Sequence, residues 1–247
     1  MYCSNAVVEE CDIVENTCRN SGGGIYIQSS SIVSDCRIVD NTTTSSQGGG
    51  VYSSSSTVTE CLIKGNTSYS YGGGVHIVSS TIRDCNILEN TSNNRGGGVN
   101  ASSGNIISCQ ISHNQSSNAG GGLYISSSTQ VRNCLVDNNS AGLSSSYGGG
   151  GIYGGGTVVN TTIVRNSSSG NGAGISGSAS TNLKNCIVWG NKRNGEKNNI
   201  SGNNIVCVNS AIEDGYSGTD LVLFDNSINN PLFVNPSLTA GASDSTV

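Results

Sequence analysis

Tyr26, Tyr52, His76, Asn100, Tyr124, Tyr153 and Ser176 each stand two residues after a block of glycines. Residues that recur at equivalent places in stacked strands form one straight stripe on a sheet. A stripe of aromatic rings beside amides and hydroxyls has the chemistry for holding sugar, because pyranose faces stack on Tyr while sugar hydroxyls bond to the neighbours. The same residues have a plainer use: Tyr on an exposed strand packs on the Tyr of the next strand. The sugar-binding reading makes Tyr26, Tyr52, His76, Tyr124 and Tyr153 the ligand-binding residues.

A second stripe lies one residue before a recurring Cys and reads Glu10, Asp35, Glu60, Asp84, Ser108, Asn133, Asn160 and Asn185. Read as outward strand residues, its carboxylates repel one another at a spacing of one repeat. Ca²⁺, which takes several oxygen ligands, would relieve that repulsion. Solvent and the nearby Arg37 and Lys64 would relieve it too. Glu10, Asp35, Glu60 and Asp84 are therefore the metal candidates, without a D-x-D loop to add to them, and Ca²⁺ is the one cofactor the pattern admits. Support for catalysis is thinner. Arg37 beside Asp35, with Glu60 and Lys64 one repeat on, is the nearest approach to an acid–base constellation. His113 directly precedes an Asn expected at a turn and reads as a solvated turn residue. The sequence has no Ser-His-Asp grouping and no HExxH motif, and its glycine blocks lack the Lys-Ser/Thr of a phosphate-binding loop.

The element that must position these residues is a repeat. Cys11, Cys36, Cys61, Cys85, Cys109 and Cys134 are 24 or 25 residues apart, Thr161 takes the next place, and Cys186 follows. Around each slot runs V-x-x-C-x-I-x-x-N, as in Val33, Cys36, Ile38 and Asn41. A glycine block and a short apolar alternation come next, as in "GGGIYI" (22–27) and "GGGLYI" (120–125). Self-similarity at this period signals a solenoid. A leucine-rich repeat would need an apolar residue two after the Asn, where this chain has Cys18, Thr43, Ser68, Ser92 and Ser116. Gly, Ser, Thr and Val are also poor helix formers. The expectation is an all-β fold: a single-stranded right-handed parallel β-helix of about 25 residues per coil and eight or more coils, with two or three short strands in each.

In such a coil the glycines turn one corner, where a side chain would strike the neighbouring coils. Asn turns another, tolerating a left-handed backbone, and Asn16, Asn41, Asn66, Asn90, Asn114, Asn139, Asn166 and Asn191 stack as an internal amide ladder. The Cys slots and the residues after the glycines (Ile25, Val51, Val75, Val99, Leu123, Ile152 and Ile175) point inward. The 10 cysteines then pack as small hydrophobes. A disulfide framework, which an even number of Cys allows, fits same-facing thiols less well. Cys18, placed in a turn, is the one thiol expected to be exposed. The N-x-S/T sites at Asn41, Asn66, Asn90, Asn114 and Asn166 fall on the ladder and are by-products of the corner chemistry; only Asn160 lies off it.

Residues 1–199 read as coils and 200–247 as irregular C-terminal coils with a capping loop that holds both prolines, Pro231 and Pro236. "MYCSNAVVEEC" aligns with "VYSSSSTVTEC", so the chain starts inside a coil and is expected to be a fragment of a longer protein. A net charge of −5 with 11% charged residues argues against nucleic acid as a partner. No run of about 18 apolar residues is present, so no transmembrane segment is expected.

The alternation of "GGG[IV]" with I-x-x-N resembles the paired G-G-A-I and F-x-x-N motifs of chlamydial polymorphic outer-membrane proteins, which are adhesins, with Gly for Ala and Ile for Phe. "NCIVWGN" (185–191) and "NPLFVNP" (230–236) are similar to phrases that end the β-helices of bacterial secreted proteins of the pectin-lyase-like superfamily. This resemblance spans essentially the whole chain. It implies the fold more than a function, since that superfamily holds lyases, hydrolases, epimerases, tailspikes and adhesins. Its lyases carry a Ca²⁺-binding carboxylate group beside a catalytic Arg or Lys, and its hydrolases carry clustered Asp; neither set maps onto this chain. The longest insertion, "SAGLSSSY" (140–147), carries no charge to wall a catalytic cleft. The expected function is a non-catalytic secreted or bacterial cell-surface module, adhesin-like or carbohydrate-binding, that contacts polysaccharide or a host-surface glycan. It would be monomeric or self-associating through the exposed end of the β-helix. The alternative is a polysaccharide lyase or glycoside hydrolase.

Overall fold

The structure is a computed structural model, and it describes residues 1–142, 147–202 and 204–213. Among these residues every regular element is a strand, and no helix is long and apolar enough to cross a membrane. One coil shows the plan. Ile25–Gln28, Ile32–Ser34, Arg37–Val39 and Thr42–Thr43 follow one another around a turn. Each then pairs in parallel with its copy one coil on, Ile25 beside Val51, Val33 beside Val58, Ile38 beside Ile63 and Thr43 beside Ser68. Sixteen strands on one side and nine on each of the other two faces make three walls around one core, paired in parallel throughout except where Lys192–Arg193 meets Glu196–Lys197.

The coil therefore has four segments where the sequence suggests two or three. The extra break lies within the first wall, where Ser55 and Ser79 adopt left-handed backbones (φ 49 and 51) and bend the chain between two strands. In the later coils the two segments fuse into single strands, Ile152–Val159 and Ile175–Lys184. The coils continue in register past residue 200. Ile200–Ser201, Ile205–Val208 and Ala211–Ile212 pair with the coil before them. The expected capping loop, with Pro231, Pro236 and "NPLFVNP", lies outside the described residues.

The inward alternation is as the repeat requires. Ile25, Val51, Val75, Val99, Leu123, Ile152 and Ile175 are wholly buried, and so are Ile38, Ile63, Ile87 and Ile111. Each glycine of a triple answers a different need. Gly48 has a left-handed backbone (φ 67); a Cβ on Gly49 would overlap the Gly73 carbonyl oxygen of the next coil; and a Cβ on Gly50 would come within 2.9 Å of the Asn66 amide carbon.

That amide belongs to the ladder. Asn66 Nδ2 donates to Asn90 Oδ1 (3.0 Å) in the next coil and to the Ile38 carbonyl (2.9 Å) in the previous one. Its Oδ1 accepts from both Asn41 N (2.9 Å) and Asn41 Nδ2 (3.0 Å). The same pattern runs from Asn16 to Asn191 and gains a further member, Asn199 (2.8 Å). Every ladder Asn from Asn41 to Asn191 is buried, while Asn16, in the first coil, is exposed. Contrary to the sequence reading, the ladder Asn does not itself take the left-handed corner. The residue before it does: Asp40, Glu89, His113 and Asn138 have φ between 52 and 59, and Gly65 and Gly190 lie nearby at 66 and 64. The Asn side chain can point inward because its neighbour has already turned the chain.

All ten cysteines are free. The slot thiols from Cys36 to Cys186 are buried and turn back to the carbonyl two residues earlier, as in Cys61 Sγ to Thr59 O (3.0 Å). Thr161 and Ser210 occupy the same slot and receive the Cys134 and Cys186 amides (3.4 and 3.1 Å). Burial pushes the Cys36 and Cys207 thiols up, each to about 11. Cys18 is not in a turn. It ends the strand Thr17–Cys18 beside Thr43 and is half-exposed together with Cys3 and Cys11, since all three belong to the first coil.

Two outcomes follow from this packing. Asn90→Leu removes the acceptor of the Asn66 N and Nδ2 donors and the side-chain donor to the Ile63 carbonyl, although the backbone amide of residue 90 still meets the Asn114 oxygen; at roughly 1–3 kcal/mol for each buried group left unpaired it should lower stability by several kcal/mol. Thermal and urea melts measure this, and an unchanged melting temperature would remove the ladder from the account. Thiol labelling of the native protein at neutral pH should reach Cys3, Cys11 and Cys18 quickly and the other seven cysteines only after denaturation. Rapid labelling of all ten would show that the core is open.

Candidate functional site

The residues two after each glycine block lie on the first wall, in register, Tyr26, Tyr52, His76, Asn100, Tyr124 and Tyr153, and Tyr2 pairs beside Tyr26 to extend the row. Alternation turns their neighbours inward and these side chains outward. Their rings stack along the coil axis. Centroids lie 5.4 Å apart for Tyr2 and Tyr26, 4.6 Å for Tyr26 and Tyr52, and 5.1 Å for Tyr52 and His76. After Asn100 the stack resumes with Tyr124 and Tyr153 at 5.3 Å. The plainer of the two sequence readings, Tyr packing on Tyr, is thus what these contacts are. It also changes what a ligand would meet: ring faces are covered by the next ring, so the stripe offers edges and hydroxyls.

The break is at Asn100. Its amide donates to His76 Nδ1 (2.8 Å), so the imidazole accepts there and carries its proton on Nε2. His76 and Asn100 are 4% and 6% exposed, unlike the half-buried tyrosines on either side. Burial pushes His76 down to about 4, so the ring is neutral at physiological pH. Beside the break stands Arg95, the residue before a glycine triple. Its guanidinium carbon lies 5.0 Å from the Tyr124 ring centroid, 5.9 Å from Tyr71 and 6.0 Å from Tyr147, and it donates to the Tyr124 hydroxyl (3.1 Å). Burial raises Tyr124, and the Arg95 charge partly offsets it. His76, Asn100, Tyr71, Arg95 and Tyr124, with Gln47, Ala101, Ser102 and Ser126, line a notch of about 350 Å³. Tyr2, Tyr71, Arg95 and Tyr147 were not among the sequence candidates. A signal existed for Arg95 and Tyr71, which share the place before a glycine triple with Gln47 and Ala119.

The acidic stripe takes a different place from the one expected. Glu10, Asp35, Glu60 and Asp84 are not outward strand residues but left-handed corners, with φ of 50 to 55, and Ser108, Asn133, Asn160 and Asn185 continue the same corner. All four carboxylates are exposed. Glu10, Asp35 and Glu60 border an open hollow with Asp12 and Arg37, but among the described residues no three His, Cys, Asp or Glu side chains converge as a metal site requires. Arg37, Asp35 and Lys64 are not brought together either. Arg37 pairs with Asp12 (2.7 Å) and Lys64 with Glu89 (3.1 Å), both exposed pairs, and Asp35 joins neither. His113 is an exposed left-handed corner residue.

Comparison with known proteins agrees with the fold. Residues 1–153 match the family model described as a right handed beta helix region, and the coils run in the same register for some sixty residues beyond the match. No curated protein and no solved structure matches the chain.

His76 gives a measurable consequence. Its folded pKa is depressed, so the unfolded chain takes up the proton first, and the stability this burial supports is intact above about pH 6.5 and is lost as pH falls toward 4. By pH 4 the loss should be about 3 kcal/mol relative to His76→Tyr, which keeps a ring in the stack without the titration. Parallel urea melts of the two proteins at pH 7 and pH 4 measure it; equal pH dependence would mean that the imidazole is not held neutral.

Proposed function

The chain belongs to the right-handed β-helix family, and from that premise we propose that it is a non-catalytic, secreted or cell-surface module whose tyrosine-lined wall holds carbohydrate. The observation that carries the reading is the aromatic stack itself. Rings on successive coils place hydroxyls and edges at regular intervals on a rigid surface, broken by one polar notch. Glycan chains present repeating hydroxyls and apolar ring faces, and they are recognised by surfaces that pair aromatic with hydrogen-bonding groups. A rigid wall also loses little entropy on binding. The cations that a lyase would need unencumbered are engaged in surface ion pairs, and the likeness of the glycine and Asn motifs to adhesin repeats points the same way.

Affinity electrophoresis through gels containing neutral and acidic polysaccharides, with and without Ca²⁺, tests the reading. Retardation without clearing of the polymer is expected. It should be lost in the combined variant Tyr26→Ala, Tyr52→Ala and Tyr153→Ala, checked for folding by its melting curve. Clearing around the band would replace the reading with a degrading enzyme, and free migration through every gel would end it.

A further inference from the structure

The sequence holds two Asn-Gly dipeptides, Asn171-Gly172 and Asn194-Gly195. Asn is a thermolabile residue, most of all before Gly. With no side chain to hinder it, the Gly amide nitrogen can reach the carboxamide carbon of the preceding Asn. The two dipeptides stand in opposite surroundings.

Asn194 and Gly195 form the tip of the antiparallel hairpin that joins Lys192–Arg193 to Glu196–Lys197. Their φ values of 49 and 90 are those of a type I′ turn. Both residues are exposed, and a Cβ built on Gly195 would meet nothing within 4 Å. Among the described residues neither the Asn194 carboxamide nor the Gly195 amide has a hydrogen-bond partner. Asn171-Gly172 is held at both reacting groups. The Asn171 Oδ1 accepts from Arg193 Nη1 (2.8 Å), and the buried Gly172 N donates to Asn198 Oδ1. Arg193 lies in the first strand of the hairpin, and Asn198 directly follows the second. The same hairpin carries the chain to Asn199, whose Oδ1 takes the Asn191 Nδ2 (2.8 Å) as the last rung of the ladder.

We propose that Asn194 is a site of spontaneous modification, and that its conversion opens the hairpin that closes the amide ladder and guards Asn171. The Gly195 nitrogen gives its proton to solvent and bonds to Asn194 Cγ, and ammonia leaves. Water then opens the succinimide to aspartate or isoaspartate, so water is the one co-reactant consumed. In isoaspartate the main chain runs through Cβ and Cγ. The tip gains a backbone atom and a carboxylate, and a two-residue loop fixed to one turn geometry does not absorb the extra length. A lone pair of strands two residues long has little else to hold it. When it opens, Arg193 and Asn198 leave Asn171-Gly172 and Asn199 loses its seat against Asn191. Modification therefore runs in order, Asn194 first and Asn171 after it, and loosens this end of the solenoid.

The test is incubation of the whole folded chain at mildly alkaline pH, with samples digested over time. Mass spectrometry reads the one-dalton gain at each Asn, and enzymatic methyl transfer from labelled S-adenosylmethionine reads isoaspartate. Asn194 should convert at least tenfold faster than Asn171 in the folded chain and at a similar rate in urea, where neither is held. Asn171 should convert only after a lag, and the incubated protein should melt below the fresh one. Asn194→Gly keeps a residue suited to the type I′ turn and cannot form the succinimide. Once its melting curve shows it folded, it should leave Asn171 unmodified and its melting temperature unchanged by the same incubation. Equal rates at the two sites in the folded chain, or an Asn194 that stays intact while the denatured chain converts, would overturn the site. Asn171 converting as fast in Asn194→Gly as in the wild type, or a modified wild type that melts like fresh protein, would overturn the coupling to the hairpin.

Discussion

One uncharged amide buried in every coil constrains the rest of the structure. An Asn side chain away from water must place two donor hydrogens and two acceptor lone pairs, and leaving them unmet costs more than any single contact returns. Here each amide solves that problem only by being in register with the coils on both sides. A slip of one residue would expose the Ile and Val faces and break every rung at once. The amide also dictates what stands against it. The third glycine of each triple is the floor on which the Asn lies, so the glycine blocks and the Asn positions form one requirement written twice in the sequence.

A polarised row of this kind needs an end. All rungs point the same way, so the dipoles add and the last oxygen must accept from its predecessor while its own amide hydrogens find a partner. The end is Asn199, delivered by an antiparallel hairpin of Lys192–Arg193 and Glu196–Lys197 that departs from the parallel plan. Its Nδ2 donates to Glu213 Oε2 (3.2 Å), which also accepts from Gly190 N (2.7 Å), while Oε1 pairs with Lys197 (3.0 Å). Burial alone would raise the Glu213 carboxyl, but the bonds from Gly190, Lys197 and Asn199 outweigh it and hold the group below its usual value. The ladder's dipole thus terminates on a negative charge, as a helix N-terminus terminates on a capping carboxylate.

How much of this was legible depends on whether a residue's role is repeated. The Cys slot, the inward Ile and Val, the Asn ladder and the glycine corner recur in nearly every coil, and period and chemistry alone located them. Backbone conformation was misread where two neighbouring residues share a corner. The sequence shows that a polar residue and Asn turn the chain together, but not that Asp40 takes the left-handed φ while Asn41 points inward. The acidic stripe was misread for the same reason. Short polar side chains are tolerated in that conformation, so Asp35, Asp84, Asn133 and Asn160 recur as corner-formers, and their charge is incidental to why they are there. The hairpin and Asn199 were illegible because the spacing from Asn191 breaks the period.

Specificity is a general difficulty for a solenoid. A perfect repeat presents the same surface at every coil and can distinguish nothing along its length. Recognition has to come from departures, and a departure is tolerated only where the scaffold does not depend on the residue replaced. Outward positions of the first wall meet that condition, because the core and the ladder fix register without them. Asn100 for a ring, Arg95 where other coils carry Gln or Tyr, and Ala119 and Gly148 beyond it are such departures, and they fall on adjacent coils. Individually each is an unremarkable surface change. Stacked, they remove one ring and set one guanidinium against the Tyr124 ring beside polar groups, in a wall that the buried amides hold rigid.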